Sequence, residues 1–212
     1  PAVSNLSDLD EIYISNDLIQ RDEKYNSRND ILIFRNNDDL VFEKNMKIGT
    51  SSLRRKLQSK FFLEATEIAN LNGNVDTRIK KLNDGEYDCI ILAKAGCERL
   101  ELDLNYLELD HLTNISQGSI CLRFSKKREE ILKLLEPFSD DGMKRKINEC
   151  NSFLNLINAD CNSAVAVDYK DEVLHAEVYG KSEYIKFSAL NAEEAFLRFK
   201  DLDGFRLLNE HS

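Results

Sequence analysis

The sequence predicts an α/β protein: a doubly wound sheet followed by a small α+β domain. Three observations predict it. Between residues 47 and 100, short apolar stretches alternate with helical ones, the rhythm of a parallel sheet with crossover helices. Two of the strand-to-helix junctions carry capping residues, "TSS" at 50–52 and "NGN" at 72–74. Beyond residue 163 the rhythm changes to three β-like runs in succession and one terminal helix.

Taken in order, residues 10–20 ("EIYISNDLI") alternate loosely and predict a strand. "RDEKYNSRND" at 21–30 is charged and turn-prone, the first boundary. "ILIF" is a compact apolar strand. Strands at 47–49, 67–71 and 87–93 then alternate with helices at 52–63, 75–83 and 95–100. In the first of these helices, Leu53, Leu57 and Phe61 share one face. The pattern loosens at 101–115, and "QGSICLRF" at 117–124 gives another strand. "KKREEILKLLE" is an amphipathic helix closed by Pro137. A longer helix spans 141–159 with Met143, Ile147, Phe153, Leu154 and Ile157. The runs "SAVAVDY", "EVLHAEVYG" and "YIKFSAL" predict strands, and Asn191 caps a last helix at 191–199. No internal repeat is evident.

Net charge is -9, hydrophobic residues make up 42% and charged residues 32%. That is globular composition, and its acidity argues against general binding to nucleic acid or anionic membrane. No apolar run approaches a membrane span and no signal peptide is read, so a cytoplasmic protein is expected. The first residue is Pro1, consistent with a processed, trimmed or partial chain. The five cysteines contain no CxxC pair, and the three histidines are scattered. A reduced protein with neither a disulfide framework nor a metal site is expected. Cys89, Cys97 and Cys121 lie in apolar runs and read as small core residues, while Cys150 is undecided.

Arg54 and Arg55 stand in a first helical turn, where the helix dipole favours acidic residues. Arg78 follows the second junction, and Gly73 permits positive φ and close backbone approach there. If the two strands are parallel neighbours, these groups converge on one cleft suited to a carboxylate or phosphate. Residue types alone leave open whether the arginines serve a ligand or pair with an acid of the same chain. Arg99, beside Glu98, is ambiguous. Cys161, in a loop between a helix and a strand, is either a covalent attachment point, a nucleophile or an incidental thiol.

Taken in order, "IGTSSLRR", "NGNVDTRIKKLNDGEYDCIILAKAG", "ERLEL" and "SQGSICL" resemble the porphobilinogen deaminase (hydroxymethylbilane synthase) family. The resemblance runs from Asp30 to Arg123 and continues more weakly in "SFLNLINADC". It implies a transferase that polymerises four porphobilinogen units head to tail, releasing ammonia, to give hydroxymethylbilane for haem and related pigments. It further implies a dipyrromethane cofactor attached to Cys161. By the same resemblance Thr50, Ser51, Ser52, Arg54, Arg55, Gly73 and Arg78 would hold the cofactor's carboxylates, and Asn72, Arg99 and Gln117 would contact substrate. Gln117-Gly118 would lie near a hinge.

The resemblance also implies a periplasmic-binding-protein-like doubly wound domain at 28–113. Residues 1–27 and 114–134 would be the remnant of an incomplete first domain, and 137–212 a C-terminal α+β domain carrying the cysteine. The family's catalytic aspartate and neighbouring lysine fall outside this chain, so no catalytic residue is assigned and the chain alone is not expected to complete the reaction. Asn72 stands where the family has an arginine, and Ala159-Asp160 where it has Gly-Gly. The expected partners are porphobilinogen and linear pyrroles, not nucleic acid or membrane. A monomer is expected unless a separate chain supplies the missing segment. Two other readings stand beside this one. One is a truncated, non-catalytic relative that binds anionic pyrroles or other polycarboxylates. The other is an anion-binding module like the periplasmic binding proteins.

Overall fold

The computed structural model describes residues 9–14, 28–35, 40–114, 116–160 and 162–211. Cys161 lies outside the described residues, as does most of the stretch read as a first-domain remnant at 1–27. The described chain is a mixed α/β fold with three sheets.

The largest sheet has five strands: β2 (Asp30–Phe34), β3 (Lys47–Gly49), β4 (Glu67–Ala69), β5 (Cys89–Ala93) and β6 (Tyr106–Leu109), in the order β4-β3-β5-β2-β6. Helices α1 (Leu53–Phe62), α2 (Val75–Asn83) and α3 (Lys94–Arg99) follow β3, β4 and β5. Both faces of the sheet are covered. Ile31, Ile33, Ile90 and Leu92 point to one layer with Leu82 and Cys97. Leu32, Phe34, Cys89 and Ile91 point to the other with Ile48 and Ala65. Coverage on two sides is why the central strands read as unbroken apolar runs.

The alternating rhythm predicted a parallel sheet, but the sheet is mixed. β3 is parallel to β4 and β5, but β2 runs antiparallel to both β5 and β6. The connection between β2 and β3, from Arg35 to Met46, joins two strands that run in opposite directions. The loosened stretch at 101–115 contains β6, an edge strand whose middle residues are exposed, so its apolar alternation is faint.

The second sheet pairs β1 (Leu9–Tyr13) with β7 (Cys121–Ser125) antiparallel. The strand expected from 117 begins only at Cys121, after a turn at 116–118. Helix α4 (Glu129–Leu135) passes into a 3-10 turn at Glu136–Phe138 that contains Pro137. α5 (Asp141–Leu156) starts on the Asp140 side chain, which accepts from Met143 N at 2.8 Å. β1 is tied to this start, since Asp140 N donates to Tyr13 O at 2.8 Å.

The third sheet is antiparallel, with β8 (Val165–Lys170), β9 (Val173–Tyr179) and β10 (Tyr184–Ala189) in the order β10-β9-β8. One face packs on α5, α6 (Ala192–Asp201) and a short α7 (Gly204–Asn209), through Ile147, Phe153, Phe199 and Leu207. Its other side meets α1. Leu57 is buried with Ala164, Ala166 and Tyr179, and Leu53, Phe61 and Leu112 pack around them. α1 is therefore shared between the five-stranded and three-stranded sheets.

Candidate functional site

The carboxyl ends of β3, β4 and β5 lie side by side, and α1, α2 and α3 start there. Open α/β sheets hold ligands at such an edge. Ser52 caps α1, its side chain accepting from Arg55 N at 3.4 Å. Beneath it the buried Thr50 accepts from Ser52 N at 3.3 Å and donates its own N–H to Ala69 O. Ser51 joins the two junctions: its Oγ accepts from Leu71 N at 3.1 Å and lies 2.8 Å from Asn72 Oδ1. Asn74 caps α2 at Thr77 N, 2.9 Å, and Gly73 turns the chain at φ 119°. Arg78 bends back to donate to Gly73 O at 2.7 Å, so it braces its own turn rather than joining Arg54.

The arginine pair has a partner. Because β2 is antiparallel, its first residue arrives at the carboxyl edge of its neighbours, with Asp30 opposite Ala93. Asp30 is 1% exposed and its carboxylate takes four hydrogen bonds. Oδ1 accepts from Arg55 Nη2 at 2.7 Å and Gln117 Nε2 at 2.8 Å. Oδ2 accepts from Arg54 Nη1 at 2.9 Å and Arg55 Nε at 3.1 Å. Arg54, itself 5% exposed, also reaches Gln58 Oε1 at 2.8 Å. Gln117 further donates to Arg28 O at 2.6 Å. Burial alone would raise the Asp30 carboxyl; the charges of Arg55 and Arg54, with bonds from Arg55 and Gln117, outweigh it and hold it below the usual carboxylate range.

The structure thus gathers Arg54, Arg55 and Gln117 on one carboxylate and sets Ser51 against Asn72. Arg99 stands apart, exposed on α3, donating to Gly118 O beside Gln117. Asp30 and Gln58 were missed by the sequence reading. The signal for Asp30 was an acid immediately before a wholly apolar strand.

The loop flanking Cys161 is built on Asp160. Asp160 N donates to Ser163 Oγ at 2.9 Å, and Asp160 Oδ1 accepts from Asn162 N at 2.9 Å. Asp160, Asn162 and Ser163 share a cavity of about 290 Å³ with Leu53, the first residue of α1, so this loop stands beside the helix that carries the arginines. The other cysteines differ in character. Cys89, Cys97 and Cys150 are buried, and burial pushes their thiols to about 12, 11 and 12. Cys121 is half-buried rather than in the core as read from its run, and its thiol is also raised, chiefly by burial. Among the described residues no group of His, Cys, Asp and Glu is arranged to hold a metal ion, and no helix is long and apolar enough to cross a membrane.

Fold and site together define an α/β protein with a guanidinium-lined edge. A family model described as "Porphobilinogen deaminase, dipyromethane cofactor binding domain" matches residues 2–133, and the chain belongs to the porphobilinogen deaminase family. It is 33% identical over 181 residues to a porphobilinogen deaminase of Streptococcus sanguinis, covering 78% of this chain and 59% of that one. A probable porphobilinogen deaminase of Methanocaldococcus jannaschii is 33% identical over 180 residues, covering 82% and 62%. That of Campylobacter jejuni subsp. doylei is 30% identical over 214 residues, covering 96% and 68%. The chain therefore spans about three fifths of the length of the first two relatives. Among solved structures, an ancestral cationic amino acid solute binding protein aligns at a TM-score of 0.39 and 12% identity, over 68% of this chain and 59% of that one.

Proposed function

We propose that this chain is the anion-binding and cofactor-carrying part of a hydroxymethylbilane synthase, which joins four porphobilinogen units head to tail with loss of ammonia. The single observation that carries the reading is the charge at the edge of the five-stranded sheet. Two guanidiniums share one carboxylate there, leaving a net positive charge beside the capped start of α1. Each pyrrole of the substrate and of a dipyrromethane cofactor carries acetate and propionate groups. Guanidinium forks match carboxylates in geometry as well as charge.

The residues present fit a dipyrromethane on donor chemistry and on place. Arg54, Arg55, Ser51, Ser52 and Thr50 would take its carboxylates, with Gly73 and Arg78 holding the neighbouring turn. Cys161 would be the point of attachment, as the family resemblance implies. When bound, the cofactor supplies the primer onto which pyrrole units are added. This chain's residues bind and orient carboxylates; the proton-handling aspartate of the family is not assigned to it. Arg99, Asn72 and Gln117 would contact the incoming pyrrole, Gln117 from near the hinge. We assign three units to the architecture: 1–27 with 114–134, a periplasmic-binding-protein-like unit at 28–113, and 137–212.

A second reading, a non-catalytic relative that binds polycarboxylates, draws on Asn72. Its side-chain oxygen faces Ser51 Oγ at 2.8 Å, and position 72 itself carries no cation where the resemblance puts an arginine. Intact mass spectrometry of the purified chain, followed by peptide mapping around Cys161, separates the two. An adduct of two linked pyrroles on Cys161 is expected. An unmodified Cys161, even after incubation with porphobilinogen or preformed hydroxymethylbilane, overturns the synthase reading and leaves the binding one.

A further inference from the structure

The arginine pair already holds a carboxylate before any ligand arrives. Asp30 is buried, faces both guanidiniums, and has its accepting capacity filled by four donors. Its position is fixed by the β2 register and by Gln117, which donates to Oδ1 alongside Arg55 and also to Arg28 O. Arg55 Nε and Nη2 form a fork on Asp30, the same geometry that a ligand carboxylate would use. The locale holds two positive charges and one negative, a net of one. Arg55, whose side chain is 13% exposed against 6% for Arg54, is the open side of the cluster.

We propose that Asp30 is a specificity-determining counter-carboxylate: it limits the arginine pair to one ligand carboxylate and sets how tightly that carboxylate is held. The assignment rests on the anion-binding reading above. An incoming carboxylate meets one uncompensated charge instead of two and competes with Asp30 for the Arg55 fork. Charge in a partly desolvated setting acts over these distances with little screening. Changing Asp30 therefore alters affinity without altering a single residue that touches the ligand.

The test is a charge series on the whole chain, read by calorimetric titration with succinate and, separately, with porphobilinogen. Asp30→Asn keeps shape and the Gln117 contact but frees one positive charge; binding of succinate should tighten roughly tenfold or more, with a steeper dependence on salt. Arg55→Gln cancels the net charge and should abolish detectable binding. The double variant, Asp30→Asn with Arg55→Gln, restores a net charge of one and should restore binding to within about threefold of the unaltered chain. It also removes one charge from each side, which keeps the test available if either single variant fails to fold. A merely structural role for Asp30 gives no such rescue. Equal or weaker succinate binding by folded Asp30→Asn, no rescue in the double variant, or no succinate binding by any form overturns the proposal. If succinate follows the charge series while porphobilinogen binds no form, the pyrrole reading fails and the assignment of Asp30 stands.

Discussion

Asp30 and Arg54 are almost wholly buried, and each would be a costly charge without the other. Their pairing explains how two adjacent arginines persist in a first helical turn against the dipole. Arg54 and Arg55 together carry more charge than Asp30 neutralises, so removing the carboxylate strands both. Asp30→Ala is expected to cost roughly 3–5 kcal/mol of folding stability in urea denaturation at neutral pH. The same group controls acid stability. Its folded-state pKa is depressed by Arg55 and Arg54, so the stabilisation is complete above the unfolded carboxyl value of about 3.9 and is lost as pH falls toward the lower folded one. Stability of the unaltered chain should therefore fall steeply below about pH 4. The acid limb of Asp30→Asn should be shallower by one proton; an identical slope would refute the role assigned to this pair.

The strands and helices of the middle of the chain were legible because apolar runs and caps report local physics. β3, β5, α1 and α2 follow from "KIG", "CIILA", Ser52 and Asn74. What could not be read is how strands are ordered and directed. The antiparallel course of β2 depends on a long connection with no apolar period, and it is this reversal that delivers Asp30 to the arginines. β6 was invisible because an edge strand with exposed middle residues has almost no alternation, and α7 because it starts from Asp203 in a left-handed conformation with no side-chain cap to mark it. Of the candidate site, the helix starts were legible and the side-chain pairing was not, since Gln117 and Asp30 meet across 87 residues of sequence. One element carries a sharp packing test. A Cβ on Gly49 in β3 would fall 2.8 Å from the Tyr87 ring and 3.0 Å from Ile90. Tyr87 in turn donates its hydroxyl to Asn70 O at 2.6 Å, two residues before the second junction. Gly49→Ala is expected to cost roughly 1–3 kcal/mol through overpacking, seen as a melting temperature lowered by several degrees.

At the scale of the whole molecule, α1 is the shared member between the five-stranded and three-stranded sheets, and a line of hydrogen bonds crosses with it. Arg54 Nη1 reaches Gln58 Oε1 at 2.8 Å, and Gln58 Nε2 donates to the Tyr179 hydroxyl at 3.0 Å. That hydroxyl donates to Glu177, whose other oxygen lies 3.0 Å from Lys186 Nζ. Burial, then the Glu177 charge and hydrogen bond, push the Tyr179 phenol well above its ordinary range, so it is a protonated donor at neutral pH. Both Gln58 and Glu177 are buried, so deleting the hydroxyl leaves two polar groups short of a partner inside the seam. Tyr179→Phe keeps the ring stacked on Phe61 and Tyr184 and removes only that oxygen. The expected loss is about 1–3 kcal/mol. Its location decides its form: the missing atom lies between the two sheets and not within either core, so the coupling between them weakens while each keeps its own apolar packing. Calorimetry of Tyr179→Phe should resolve a broadened or split transition where the unaltered chain gives one. By contrast Phe153→Ala, inside the C-terminal core, leaves the Tyr179 link intact and should cost roughly 3–5 kcal/mol, lowering the single melting transition without splitting it. A Tyr179→Phe melt that keeps a single transition of unchanged width would show that apolar contacts of Leu57 and Phe61 hold the sheets together without this hydroxyl.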